Sequence, residues 1–252
     1  MGLPKDTFKF FRYGCIIVNE DDNPDELMDK IDSSSEFDFL ERGIGLTFSP
    51  KFISELMYSG FYITSDMLYK EIPCPKNINK RLVYCPLINF WKIQTILFFN
   101  NLHISKSIKR VMKNYEFRIN YDFKSVIKNI NRYHGRLWIS QPLKQTLFKL
   151  NKSNYKAKAV SFEVYKDGIL KAGEVGIRTG KIYTSCTGFH NESSAGSVQI
   201  AYMLNYLKDN NFAFVNFGTD DSEKNNIYKR KFGATYIDRT EYVPLWRAGR
   251  VL

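Results

Sequence analysis

The stretch from Ala157 to Gly218, AKAVSFEVYKDGILKAGEVGIRTGKIYTSCTGFHNESSAGSVQIAYMLNYLKDNNFAFVNFG, restricts the fold more than any other part of this 252-residue chain. Within it, Ala159 to Tyr165 alternates apolar and polar residues, the period of a strand with one buried face. Lys166-Asp167-Gly168 supplies a hairpin turn, Ile169 to Ile177 runs back, and Thr179-Gly180 turns the chain again into Lys181 to Phe189. After Ser193-Ser194 the apolar residues Val198, Ala201, Tyr202, Leu204 and Leu207 fall at helical spacing. Phe212 to Phe217 is then an apolar run short enough for a buried strand. Three antiparallel strands, a helix and a fourth strand are expected in that order.

Composition limits what such a core can do. With 44% hydrophobic and 15% aromatic residues the chain can bury a sizeable core as one or two domains. Cys15, Cys74, Cys85 and Cys186 form no CxxC pair, and His103, His134 and His190 have no ligand spacing. Neither a metal site nor a disulfide frame is expected, no cofactor is called for, and a reducing compartment fits. No apolar run approaches about 18 residues. The N-terminus mixes Lys5, Asp6, Lys9 and Arg12 with aromatics where a signal peptide needs an uninterrupted apolar stretch, so a cytoplasmic location without membrane contact is expected.

The net charge of +11 is unevenly spread. From Ile72 to Phe162 there are 18 Lys and Arg against two acids, Glu116 and Asp122, so this segment carries all of the positive excess. A run of four or five lysines reads as a solvated face; a basic excess sustained over so long a stretch points to a polyanion. Aromatics such as Tyr84, Trp91, Tyr115, Tyr121, Tyr133 and Trp138 are interleaved with the charges. Most belong to a core, but the mixture is the one that single-stranded RNA binding uses.

Elsewhere the signals are local. Tyr13 to Asn19 predicts a short strand and Pro24 to Ile31 a short helix. Ser49-Pro50 opens a helix striped by Phe52, Ile53, Leu56 and Met57 and closed at Gly60. Leu82 to Cys85 and Thr95 to Phe99 read as strands. In HISKSIKRVMK, Ser105 caps a short helix that sets Lys106, Lys109, Arg110 and Lys113 toward solvent or phosphate. Glu116 to Tyr121 predicts a strand, Asp122 caps a helix over Phe123 to Tyr133, and Gln141 to Asn151 a further helix.

The order of elements in the first stretch resembles the core of the N-acyltransferase (GNAT-like) fold. Taken with GLTFSPKFISELMYSGFYI, LHISKSIKRVMKNYEFRINYDFKSVIKNI, LWI, SFEVYKDGILKAGEVG and FGATYIDRTEY, most of the chain is similar to the bacterial leucyl/phenylalanyl-tRNA–protein transferases. The most specific strings are LHISKSIKR with the FxINYDFxxVI that follows, and FGATYIDRTEY. The resemblance implies an α+β protein, with an N-terminal α/β domain over residues 1–75 and a GNAT-like acyltransferase domain over residues 76–252 that includes the basic tRNA-binding segment. It implies transfer of an aminoacyl group from the 3′ end of aminoacyl-tRNA to the N-terminal amine of an acceptor protein, marking it for N-end-rule degradation, by an enzyme expected to act as a monomer.

At the sites the chain departs from the family. An aspartate and a glutamine two residues later are expected at the end of the fourth strand; here Asn216 and Gly218 stand there. Asp220 and Asp221 are placed to take the carboxylate role and Tyr228 that of a tyrosine acid, against the blander readings of a helix cap and a packing aromatic. The second-strand motif reads Ala172-Gly173-Glu174-Val175-Gly176, putting Glu174 where a hydrophobic pocket residue is usual. The third-strand motif reads Ser185-Cys186-Thr187-Gly188-Phe189, with Cys186 in place of a glutamate and Gly188 opening space beside Phe189. An unpaired buried carboxylate is costly and a guanidinium would satisfy it, so arginine is favoured over leucine and phenylalanine as the donor, unless Glu174 faces solvent. Trp138 matches a tryptophan that lines the site near the tRNA adenosine.

Two other classes stay open. An acetyl-CoA-dependent N-acetyltransferase would want a Q/R-x-x-G-x-G/A loop before the long helix, where His190 to Ser197 reads HNESSAGS. A catalytically inactive RNA-binding relative is the third reading, because the family's aspartate, glutamine and glutamate are missing.

Overall fold

A computed structural model describes residues 15–33, 40–74, 77–135, 139–219 and 228–252 of the chain. Four strands form one sheet: β1 (Ile16–Val18), β2 (Arg42–Gly45), β3 (Tyr62–Cys74) and β4 (Asn77–Asn89), in the order β1-β2-β4-β3. Because β4 pairs with β3 along its whole length, this sheet continues to Asn89. Helices α1 (Pro24–Ser33) and α2 (Pro50–Tyr58) accompany it, and the stripe on α2 is buried at Phe52, Ile53, Leu56 and Met57.

The larger sheet has seven strands. They are β5 (Ile93–Phe98), β6 (Glu116–Ile119), β7 (Ala157–Lys166), β8 (Ile169–Thr179), β9 (Ile182–His190), β10 (Phe214–Asn216) and β11 (Thr235–Asp238), ordered β11-β5-β10-β9-β8-β7-β6. The expected meander of β7, β8 and β9 is antiparallel, and β10 returns parallel to β9 after helix α6 (Ala195–Asp209). This is an α+β arrangement, with helices on both faces of a mixed sheet. Strand alternation sends Val175, Ile177 and Ile182 to one face, where they share a core with α2, α4 (Phe123–His134) and α5 (Gln141–Lys152). Ala172 and Tyr183 go to the other face, with α6 and α3 (Lys106–Met112).

Sequence explains how α4 is fixed. Asp122 caps it, accepting a hydrogen bond from the Ser125 backbone N–H at 3.0 Å, and Phe123, Val126, Ile127 and Ile130 form its buried stripe. Glu163 on β7 is wholly buried, with no cation bonded to it among the described residues, yet its oxygens accept from the Asp122 N–H, the Ser161 hydroxyl and the Tyr165 hydroxyl. Those donors offset the desolvation of its charge and tie the start of α4 to the sheet.

Four elements carried no recognised signal: β2, β3, β11 and the last helix, α7 (Arg239–Arg250). The long-range polar bonds of α7 explain its place. Arg239 is buried and donates to the carbonyls of Phe90 at 2.8 Å and Ile31 at 3.2 Å. Arg250 forks onto both oxygens of Asp25 at 2.6 and 2.9 Å, so the C-terminal helix holds α1. Among the described residues no helix is long and apolar enough to cross a membrane.

Candidate active site

The site lies where β9 parts from β10. Their parallel pairing covers only Ile182–Thr184 against Phe214–Asn216. Beyond Thr184, β9 stays paired to β8 and loses its neighbour on the other edge. The pairing with β8 also slips, since Gly176 faces Ser185 and Val175 faces Thr187, leaving Cys186 as the extra residue of a bulge. The carbonyls that the opened edge exposes are taken by side chains: Tyr62 donates its hydroxyl to Cys186 O at 2.8 Å, and His134 Nε2 lies 2.7 Å from Gly188 O.

The bulge also decides which way the neighbours face. Cys186 and Thr187 line a narrow apolar cleft of about 30 Å³ together with Val175, Tyr62, Met57 and Leu147. Glu174 is not among its lining residues. It is 4% exposed and faces the α6 side, where the Tyr183 hydroxyl donates to its Oε1 at 3.0 Å. Burial pushes the Glu174 carboxyl up to about 7, against the opposing pull of the Ser185 and Tyr183 hydroxyls and the Lys229 charge. The expectation that Glu174 needs an outside cation because it has no partner is therefore corrected: Tyr183 is its partner. Gly176 makes this possible, because a Cβ there would overlap the Tyr183 hydroxyl.

Asn216 is 2% exposed at the end of β10 and fully engaged. Its Nδ2 donates to Tyr242 Oη at 2.9 Å and Gln94 Oε1 at 3.3 Å, and its Oδ1 accepts from the Gly218 N–H at 2.7 Å. It fixes the turn at Gly218, whose φ is 77° and whose Cα faces the rings of Trp91 and Tyr62. Those two rings are 4.8 Å apart, and the Trp91 Nε1 proton is buried without an acceptor among the described residues.

Tyr228 lies in helical residues 228–231 and is 41% exposed as a residue. Burial of its phenol, then the Glu174 charge, raises its pKa above the ordinary value. Lys229, next in sequence, is buried and donates to Phe217 O at 2.9 Å. Burial pushes the Cys186 thiol up to about 12, so it is held as the neutral thiol. Phe189 packs in the core on the cleft side, stacked on Tyr133 at 5.8 Å, and Gly188 pairs across from Glu174. Trp138, Asp220 and Asp221 lie outside the described residues.

The structure thus gathers Glu174, Cys186, Gly188, Asn216 and Tyr228 around one strand junction. It adds Trp91, noted in the sequence only among the aromatics of the basic segment, and Tyr62, Tyr183 and Lys229, which the sequence did not mark: a tyrosine after α2 and a lysine in KRKFGA look like ordinary packing and surface residues. Lys106, Lys109, Arg110 and Lys113 are all exposed on or just after α3. They belong to the α6 side of the sheet, opposite the cleft. Among the described residues no group of His, Cys, Asp and Glu is arranged to hold a metal ion.

Relatives of known name share this arrangement of sequence. A family model described as leucyl/phenylalanyl-tRNA protein transferase matches residues 96–247. The leucyl/phenylalanyl-tRNA–protein transferase of Campylobacter lari is 29% identical over 197 residues, covering 78% of this chain and 84% of that protein. The protein of the same name from Flavobacterium johnsoniae is 28% identical over 159 residues, covering 61% and 71%. Among solved structures, FemX aligns over 94% of this chain and 80% of its own at 12% identity and a TM-score of 0.42. A GCN5-related N-acetyltransferase from Anabaena variabilis aligns over 84% and 46% at 7% identity and a TM-score of 0.38. With more than half of its length matched by one family model, the chain belongs to the leucyl/phenylalanyl-tRNA protein transferase family, a class of aminoacyltransferases.

Proposed function

We propose that the protein transfers the aminoacyl group of a charged tRNA to the N-terminal amine of acceptor proteins and so marks them for N-end-rule degradation. The observation that carries this reading is the opened edge of β9, with an apolar cleft on one side of it and the engaged Asn216–Gly218 turn at its end. The substrate ester is already activated by the ribose, so the reaction needs a neutral amine, a held geometry and a place for the oxyanion. A protein α-amine titrates near about 8, so part of it is neutral at cellular pH and positioning supplies much of the acceleration.

The amine nitrogen attacks the ester carbon, the carbon–oxygen bond to the ribose breaks, and the amine loses one proton while the ribose oxygen gains one. Backbone N–H groups on the uncovered part of β9 are the donors we assign to the tetrahedral oxyanion. Tyr228, held protonated by its surroundings, is the hydroxyl we assign to the leaving ribose oxygen. Asp220 and Asp221 keep the carboxylate role proposed from sequence. Asn216 acts as a positioning residue, through the Gly218 turn.

For the donor we favour an apolar side chain, leucyl or phenylalanyl, because Val175 and Leu147 rather than Glu174 line the cleft. At about 30 Å³ the cleft must widen to take one, with Met57 and Leu143 moving apart. Arginine is the second reading, and the buried Glu174 carboxyl one residue from the cleft wall favours it. The test is incubation with tRNAs charged in turn with labelled Leu, Phe and Arg and a panel of acceptor peptides. Label in peptide from Leu or Phe supports the reading, label from Arg alone reverses the donor, and label from none leaves an RNA-binding relative. Turnover of acetyl-CoA would point to the N-acetyltransferase class.

A further inference from the structure

A second concave surface has no role so far. It is a groove of about 520 Å³ between the C-terminal half of α4, the start of α5 and β4, lined by Tyr84, Lys128, Asn131, Arg132, Gln141 and Lys144. Among the described residues three cations and no acid line it. Neither Lys128, Arg132 nor Lys144 makes an ion pair among the described residues.

The charge is built into one helix face. Lys124, Lys128 and Arg132 follow one another at intervals of four along α4, opposite the stripe of Phe123, Val126, Ile127 and Ile130. Like charges at that spacing repel and weaken a helix, and α4 contains no acid to relieve them. A partner that is itself anionic removes the repulsion. Asn131 lines the same groove, and its buried Oδ1 has no hydrogen-bond donor among the described residues, which leaves an acceptor for a hydroxyl. Tyr84 is 38% exposed and offers a ring face to a flat group.

The position of the groove gives it a direction. Ile139 is a wall both of the groove and of the apolar cleft, so a chain lying in the groove ends at the cleft. On α5 the neighbouring residues divide the two surfaces, Leu143 into the cleft and Lys144 into the groove. The cations of α3, by contrast, lie on the opposite face of the sheet.

We propose that this groove binds the phosphodiester backbone of the single-stranded 3′ end of the tRNA, with Tyr84 stacking on a base and Asn131 accepting from a ribose hydroxyl. The inference rests on the aminoacyl-tRNA reading given above. It divides the labour between two cationic surfaces: the groove holds the last unpaired nucleotides, whereas α3 meets the body of the tRNA.

The test measures the affinity of the full-length protein for uncharged tRNA, intact or lacking its last three nucleotides, over a range of salt. Three proteins are compared: wild type, Lys128→Ala/Arg132→Ala/Lys144→Ala, and Lys106→Ala/Lys109→Ala/Arg110→Ala. The groove variant should lose tenfold or more in affinity for intact tRNA, with a log K against log salt slope shallower by roughly two. It should bind shortened tRNA as wild type does. The α3 variant should lose affinity for both. Tyr84→Ala should cost about fivefold or more on intact tRNA only, and Tyr84→Phe should restore it. Thermal unfolding checks the folding of each variant; the groove variant should melt close to wild type, since the loss of repelling charges on α4 offsets the loss of the Lys144 contact with the Phe148 ring at 6.0 Å. If wild type prefers intact tRNA and the groove variant keeps that preference, or weakens equally on both RNAs, the inference is overturned while the function stands. If wild type binds neither RNA, the aminoacyl-tRNA reading fails first.

Discussion

Replacing Glu174 by Gln asks whether this carboxyl is as buried and as weakly stabilised as the geometry indicates. Its folded pKa of about 7 lies above the ordinary 4.5. Such a raised acid favours the native state fully below the unfolded value, and that contribution is lost as pH rises through the folded one. The difference corresponds to about 3 kcal/mol between pH 4.5 and 8, at 1.36 kcal/mol for each pH unit. Gln keeps an oxygen for the Tyr183 hydroxyl but has no proton to lose. Other carboxyls titrate alike in both proteins and cancel in the difference. The stability of Glu174→Gln minus that of wild type should therefore grow by about 3 kcal/mol from pH 4.5 to 8, a relative midpoint gain of about 1 M urea at a slope near 3 kcal/mol per M. Urea unfolding at a series of pH values measures it. A difference that does not change with pH would refute the argument, since it would mean that water or an unseen cation reaches the carboxyl.

Other substitutions probe the surrounding contacts. Tyr62→Phe removes the donor to Cys186 O and should cost about 1 kcal/mol of stability, with a fall in kcat rather than a rise in KM if the edge of β9 is where the oxyanion forms. Gly176→Ala places a methyl against the Tyr183 hydroxyl and the Thr184 carbonyl, and should lose at least about 1–3 kcal/mol in chemical denaturation. Asn216→Ala leaves the Gly218 N–H and the Tyr242 hydroxyl without a partner, a loss of about 1–3 kcal/mol that thermal unfolding would register.

The sequence foretold the central sheet from β5 to β10 well because each of these strands carries a local signal that tertiary packing reinforces. Gly168 and Gly180 take positive φ at the two turns, and the Asp122 cap and α4 stripe agree with each other, whereas the apolar–polar alternation of β7 does not mark one solvent face, since Ser161 and Glu163 are buried too. β2, β11 and α7 were illegible for the opposite reason. β2 and β11 are four residues each, and what fixes β11 is pairing with β5. α7 has Pro244 in its interior and is held by arginines whose partners, Asp25, Ile31 and Phe90, are more than 140 positions away. No window on the sequence contains both ends of such bonds.

At the site the missing information was one residue of register. Read with a strict period of two, Cys186 shares a face with Thr184 and Gly188, while Thr187 and Phe189 share one with Tyr183 and Ser185. The extra residue at Cys186 reverses the phase from there on: Cys186 and Thr187 both turn to the cleft, Phe189 follows them into that core, and Gly188 swings beside Glu174. Tyr183, still on the near side of the bulge, reaches across Gly176 to the Glu174 carboxyl. Glu174 itself follows the regular alternation of β8, with Ala172 and Gly176 toward α6 and Val175 and Ile177 toward the cleft, so the donor argument that made it a pocket wall placed it on the wrong face of its own strand. The same shift gives the pocket a wall that sequence alone placed on the far side, because Val175 and Thr187, paired across the strands, now look into the cleft together.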